Sequence, residues 1–234
     1  ASSGNESASY EVEIAIRNPN PMLTKSVDMV VEPGQTAELP YAFFGMEGTG
    51  FGQVTLSGIP SFDLDKHLNY LIRYPYGCLE QTVSSVFPQL FLADLTELSA
   101  DKKMKTDRNI KAAINKIADM ALADGSFTYW PGQSDYNSWT TSYAGHFLYL
   151  AAEKGYLIPG ALLDRWLSFQ HKKAGNYQLA GNTNTYWDNT DQAYRLYTLA
   201  LAQKPNTGAM NRMRESGTLT ASQRWILAAA YLYA

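Results

Sequence analysis

Leu71-Ile72-Arg73-Tyr74-Pro75-Tyr76-Gly77-Cys78-Leu79-Glu80-Gln81-Thr82 is the stretch on which the reading of this chain turns. Pro75 and Gly77 make a stiff, tight approach to Cys78. An apolar helical pattern follows, with Val83, Val86, Phe87, Leu90 and Phe91 on its packed side. Cys78 therefore falls at a helix N-terminus, where free N–H groups and the positive end of the dipole favour a thiolate. Gln81 stands three residues on, so one helical turn sets its amide over the cysteine. By composition alone, one cysteine in apolar surroundings is an inert buried thiol. The spacing allows a sharper chemistry, in which the thiolate attacks the Gln81 side-chain carbonyl, ammonia leaves and an internal thioester remains. Such a bond is a stored acyl donor and must be kept from water, with Tyr74, Tyr76 and Phe87 as the shielding candidates. Glu80 is either a favourable first-turn carboxylate or a group that tunes the thioester.

Before this stretch the period is two. Tyr10 to Arg17 alternates as a half-buried strand should, and Asn18-Pro19-Asn20-Pro21 is a turn or crossing segment. Val27–Val31, Ala37–Phe44 and Phe51–Ser57 are further strands, with a turn at Glu32-Pro33-Gly34-Gln35. Four short strands make a thin layer that needs a second sheet or a neighbouring domain to close a core.

After it the period becomes helical. Ile110, Ala113, Ile114, Ile117, Ala118, Ala121 and Leu122 recur at helical spacing, with Thr106 and Asp107 as the cap. Trp139–Glu153 is a helix ended by Gly155, and Pro159 starts one running to Gln170. Asp188–Ala202 and Thr220–Tyr233 are two more, the last capped by Thr218 or Thr220. The polar stretch Asn176–Trp187 reads as a surface loop. Short turns between helices imply antiparallel neighbours. The fold class is thus mainly α, with a small antiparallel β segment over residues 1–64 and a helical domain over residues 65–234.

Bulk properties narrow the function classes. The net charge of -3 gives no reason to expect nucleic acid or an anionic membrane as a partner. No run of 18 apolar residues exists, so direct membrane insertion is not expected. One cysteine excludes a disulfide framework or a multi-cysteine zinc site within the chain, and His67, His146 and His171 are scattered. No metal or cofactor is expected. The chain begins at Ala1 and stops at Ala234 inside an apolar run, and so reads as a piece of something larger.

Tyr76-Gly77-Cys78-Leu79-Glu80-Gln81-Thr82 resembles the thioester motif of the alpha-2-macroglobulin and complement C3/C4/C5 family, and the wider run from Leu71 looks like its bacterial branch. Asp124-Gly125-Ser126-Phe127-Thr128-Tyr129-Trp130 resembles that branch's glycine-aromatic loop. Ser138-Trp139-Thr140-Thr141-Ser142-Tyr143 resembles the start of the next helix, and Gln192–Ala202 has the family's character more loosely. The resemblance implies an α/α toroid, here truncated, preceded by part of a flanking CUB-like β-sandwich domain. It implies a role in a broad protease inhibitor, exported to the bacterial periplasm or cell surface and often lipid-anchored. Its partners would be target proteases, met through the parent protein, and neighbouring β domains of the same chain. It implies a single-use acyl donor rather than a turnover catalyst. Hydroxyl-reactive members use a histidine, but the matching stretch near Ala193 holds none; the plainer reading of His171 and His146 is a helix histidine. Direct attack by amines, with lysine preferred to hydroxyls, is therefore expected.

Three other readings compete. A cysteine hydrolase would need a histidine such as His67 near Cys78. A glycan-processing toroid would recruit Trp130, Trp139, Tyr186, Trp187, Asp188 and Asp191, aromatics whose spacing also suits helix packing. An intact thioester domain whose Cys78 and Gln81 are unlinked would act only as an interaction module.

Overall fold

Pairs of helices whose apolar stripes face one another build most of this protein. The structure, a computed structural model, describes residues 2–3, 6–7, 9–12, 14, 21–56, 58, 68, 70–178 and 185–234. Two units separate, Ala1–Ser61 and Phe62–Ala234.

In the second unit, α1 (Leu79–Val86) buries Leu79, Thr82, Val83 and Val86. Pro88 cannot extend it, and the chain tightens into a 3-10 turn, Pro88–Phe91, before the short α2 (Leu92–Leu95). The long α3 (Ala100–Asp119) begins at Ser99, whose side chain accepts from the Lys102 N–H. The cap expected at Thr106 and Asp107 is therefore a correction: both lie inside the helix. Ion pairs Asp101–Lys105 and Asp107–Lys111, each 2.8 Å and one turn apart, suit the extra N-terminal turns. Helix α4 (Ser138–Glu153) is capped by Asn137, which accepts from the Thr140 N–H. Helix α5 (Leu162–Asn176) starts later than expected, because Pro159 and Gly160 form a turn closed by the Leu162 N–H on the Pro159 carbonyl at 3.3 Å. Then come α6 (Thr185–Leu201), α7 (Thr207–Glu215) and α8 (Ala221–Tyr233). Of the expected 176–187 loop, residues 179–184 lie outside the described residues, and both ends of the stretch are helical.

Contacts order these helices into two rows. Helices α1, α4, α6 and α8 touch in succession, while α3 packs on α1 and α4, α5 on α4 and α6, and α7 on α6 and α8. One core gathers Leu79, Val83, Ile110, Ile117, Phe127, Phe147, Leu148 and Trp166. A second gathers Leu196, Leu199, Met210, Met213 and Leu227. Leu167 packs against both.

The first unit holds a two-residue antiparallel pairing, Ser2–Ser3 with Glu6–Ser7. The turn at Glu32–Gln35 is present, closed by the Gln35 N–H on the Glu32 carbonyl at 3.0 Å. The strands expected over 27–31, 37–44 and 51–56 are not formed, a correction to the alternating pattern. Every described residue of 21–56 is exposed; Val54 and Leu56 are open to 74% and 91%. Alternation holds a strand only when a second layer covers its apolar face and a neighbour completes its ladder. Residues 13, 15–20 and 57 of the expected β pattern lie outside the described residues.

Candidate functional site

Cys78 is the N-cap of α1, with extended backbone at φ -73° and ψ 179°. Its geometry is set from both sides. Gly77 before it has φ +96°, a left-handed turn that favours glycine. Gln81 after it closes a capping box: the Cys78 N–H donates to Gln81 Oε1 at 3.1 Å, and the cysteine side chain faces the Gln81 N–H. The carboxamide folds back over Gly77 so closely that a Cβ there would overlap Oε1 and stand 2.9 Å from Cδ. The two residues singled out by spacing are thus brought together. Cys78 is half-buried and Gln81 exposed.

The glycine-aromatic loop supplies a neighbour that spacing did not reveal. Asp124 Oδ1 accepts from the Ser126 N–H at 3.0 Å and the Ser126 hydroxyl at 2.6 Å, tying the turn. Phe127, fully buried, anchors it in the core, and its N–H donates to Thr141 Oγ1 at 3.1 Å. The loop then delivers the Tyr129 carbonyl to the Leu79 N–H at 3.0 Å, satisfying a first-turn donor of α1. Burial raises the Tyr129 phenol above its ordinary pKa, and the charges of Cys78 and Glu80 nearby add to the shift. The phenol therefore stays protonated beside the cysteine. The local sequence marks Tyr129 only as one aromatic among several.

The remaining candidates are placed as follows. Glu80 Oε1 accepts from the Ser84 hydroxyl at 2.9 Å, which directs the carboxylate along α1. Tyr74 and Tyr76 lie against each other, ring centroids 4.6 Å apart, and are 41% and 75% exposed. Phe87 caps the other end of α1, roughly 13 Å along the axis from Cys78 at 1.5 Å per residue. It stacks on Tyr143 at 5.5 Å and is remote from the sulfur. His146 Nδ1 lies 2.8 Å from the Tyr194 hydroxyl, its ring edge-on to Phe87, and burial lowers its pKa to about 4. His171 is exposed on α5. His67 lies outside the described residues.

Of the residues a glycan-processing site would need, Trp139 is stacked on Tyr194 at 4.8 Å, and Trp130 is half-exposed. Asp191 is pushed up by burial, while Ser138 and Arg195 pull it down. Arg195 in turn is spent on Gln170, Gln192 and Ser138. The side chains of Tyr186 and Trp187 lie outside those described. Among the described residues no His, Cys, Asp or Glu cluster could hold a metal ion. No described helix is long and apolar enough to cross a membrane.

Residues 52–190, more than half of the chain, match the A-macroglobulin TED domain family. The chain belongs to the alpha-macroglobulin thioester-domain family. Its relatives in sequence include the alpha-2-macroglobulin of Escherichia coli, 30% identical over 87% of this chain and 13% of that protein. In structure this thioester-domain chain is similar to Salmonella alpha-2-macroglobulin reacted with methylamine. That match has a TM-score of 0.62 at 28% identity, over 76% of this chain and 12% of that one. It is also similar to trypsin-activated alpha-2-macroglobulin from Escherichia coli, with a TM-score of 0.59 at 26% identity, over 68% and 12% of the two chains. The thioester-domain chain thus spans about an eighth of the length of the relatives it matches.

Proposed function

We propose that Cys78 and Gln81 form an internal thioester, and that this domain serves a larger exported protein as a single-use acyl donor that tethers proteases. The observation that carries the proposal is the folded-back carboxamide of Gln81, held on the Cys78 N–H at 3.1 Å. The cysteine Sγ attacks Gln81 Cδ, the C–N bond breaks, and ammonia leaves with the thiol proton. The same N–H points at Oε1, where negative charge gathers during the attack, and so favours the transition state. In transfer, an amine nitrogen bonds to Cδ, the C–S bond breaks, and Cys78 recovers its proton. Tyr74, Tyr76 and the protonated Tyr129 phenol are the groups beside this chemistry, while Glu80 steadies the first turn.

The relatives support an amine acceptor and a protease trigger. The Salmonella protein has been reacted with methylamine, and the Escherichia coli protein has been activated by trypsin. The near-neutral pH form of His146 sits at the far end of α1, and residue 193 is a buried alanine, which fits direct aminolysis. We read the two rows of helices as an arc of an α/α toroid, over residues 65–234. Residues 1–64 are read as part of a flanking β domain whose strands form against a neighbouring layer. The periplasm or cell surface is the expected place of the parent protein.

A second reading has its own observation. Gln81 is exposed and Cys78 half-buried, so this domain taken alone leaves the bond open to water, and the pair is then unlinked. Intact mass decides between them. A closed ring lowers the mass by about 17 Da, and methylamine then adds about 31 Da and frees one thiol. C78A or Q81A abolishes both changes. The full sequence mass, with a free thiol and no methylamine uptake, establishes the unlinked state. Labelling by glycerol as fast as by methylamine would overturn the amine preference.

A further inference from the structure

The segment leading into Cys78 is held by two buried amides from elsewhere in the fold. Arg73 and Pro75 turn their carbonyls inward, Pro75 itself being buried, while Tyr74 and Tyr76 point outward. The Arg73 carbonyl receives Gln89 Nε2 at 2.8 Å, Asn109 Nδ2 at 3.1 Å and the Ser85 hydroxyl at 3.4 Å. Gln89 and Asn109 are only 2% and 7% exposed. They are also bonded to each other, Asn109 Nδ2 donating to Gln89 Oε1 at 3.1 Å, and Gln89 Nε2 reaches the Ser85 carbonyl at 2.9 Å. Both amides are thereby fixed in orientation, because each flipped form would set an oxygen against an acceptor. Lys116 lies seven residues after Asn109, two turns along the same face of α3. Its Nζ donates to the Pro75 carbonyl at 3.3 Å.

We infer that Gln89, Asn109 and Lys116 are positioning residues for the thioester: a clamp that fixes Arg73–Pro75 and so sets Cys78 against Gln81. The inference rests on the thioester reading and deepens it. The bonded Pro75 carbonyl lies two residues before Gly77, so whatever loosens the clamp is transmitted to the cysteine backbone through one left-handed turn. Ring closure needs Sγ and Cδ aligned, and a misplacement of about 1 Å costs such a step orders of magnitude. The clamp also holds the backbone on both sides of Tyr74.

The test compares the closed fraction in freshly purified protein, read by intact mass, for wild type, Gln89→Met, Asn109→Ala, Lys116→Met and the control Leu227→Ala. Gln89→Met keeps the buried volume and deletes the donors. Leu227 lies in the other core, 3% exposed, and reports what loss of stability alone does. Gln89→Met and Asn109→Ala are expected to lower the closed fraction at least about fivefold relative to Leu227→Ala at a matched fall in Tm. Lys116→Met is expected to shorten the lifetime of the closed ring about twofold. A Gln89→Met protein that closes its ring as fully as wild type overturns the clamp. If wild type itself shows no mass deficit, the thioester reading has failed instead. The clamp is then read from alkylation of the Cys78 thiol by iodoacetamide: about a fivefold change in rate in Gln89→Met is expected, and equal rates overturn it.

Discussion

A side chain at position 77 meets two obstacles at once. The backbone there has φ +96°, which costs a non-glycine residue about 1–2 kcal/mol. A Cβ would also overlap Gln81 Oε1, so the carboxamide must swing away from Cys78. The first term is a stability effect, and the second acts on the chemistry whether or not the first is tolerated. Gly77→Ala is therefore expected to fold, with a Tm lowered by several degrees, and to show no thioester by intact mass. Normal ring closure in that variant would mean that Gln81 does not need its folded-back position. At this scale the sequence was informative where chemistry is local. Cys78, Gln81 and Gly77 could be placed because one helical turn and one tight turn relate them. Tyr129, Gln89 and Asn109 could not, since Tyr129 and Asn109 reach the site through the packing of the 121–129 loop and α3 on α1, and Gln89 through the 3-10 turn that brings its amide back onto Arg73. Phe87 was misplaced for the converse reason: it lies on the same short helix, but at the end away from the sulfur.

The crossing of α4 and α5 depends on Gly145. Trp166 lays its indole where a Cβ at 145 would be, and Trp166 Nε1 donates to the Thr141 carbonyl at 2.9 Å one turn away. Two effects oppose each other in Gly145→Ala. Helix propensity favours alanine by about 1 kcal/mol. Overpacking against a rigid, fully buried ring costs about 1–3 kcal/mol, and the indole cannot retreat without giving up its hydrogen bond. The net expectation is destabilisation by up to about 2 kcal/mol in denaturant unfolding, where an exposed helix glycine would give a gain. Elements of this kind were legible from their apolar spacing, and α4 and α8 came close to their observed ends. Helix α7 was missed, although Asn206 caps it and Ala209, Met210 and Met213 sit at helical spacing. Nine residues carry too little periodicity to separate a short helix from a turn. The β pattern failed differently: alternation was present, but the layer that turns alternation into a sheet was not among the described residues.

Across the whole helical unit an aromatic wall joins the four helices of one row. Phe87 of α1 stacks on Tyr143 of α4, Trp139 of α4 on Tyr194 of α6, and Tyr197 of α6 meets Tyr233 of α8 at 6.0 Å. His146 sits inside this wall, with Phe87, Tyr194 and Tyr197 around its ring at 5.1, 5.8 and 5.7 Å. Burial keeps the Tyr194 phenol protonated, and it shares a hydrogen bond with Nδ1 of the ring at 2.8 Å. Burial also lowers the His146 pKa from 6.5 to about 4. The neutral ring is therefore the native form. An unfolded chain takes up this proton near pH 6.5, whereas the folded chain resists until about pH 4. Between these values the unfolded state binds more protons, so stability is complete above pH 6.5 and is lost as pH falls toward 4. The loss integrates to about 3 kcal/mol, an order-of-magnitude figure. His146→Leu removes this proton uptake but keeps an apolar body in the wall. Denaturant unfolding of both proteins between pH 7.5 and 4.5 is expected to show wild type losing about 2 kcal/mol more than the variant over that range. Parallel pH curves would mean that His146 is hydrated in solution and that the wall opens between its helices.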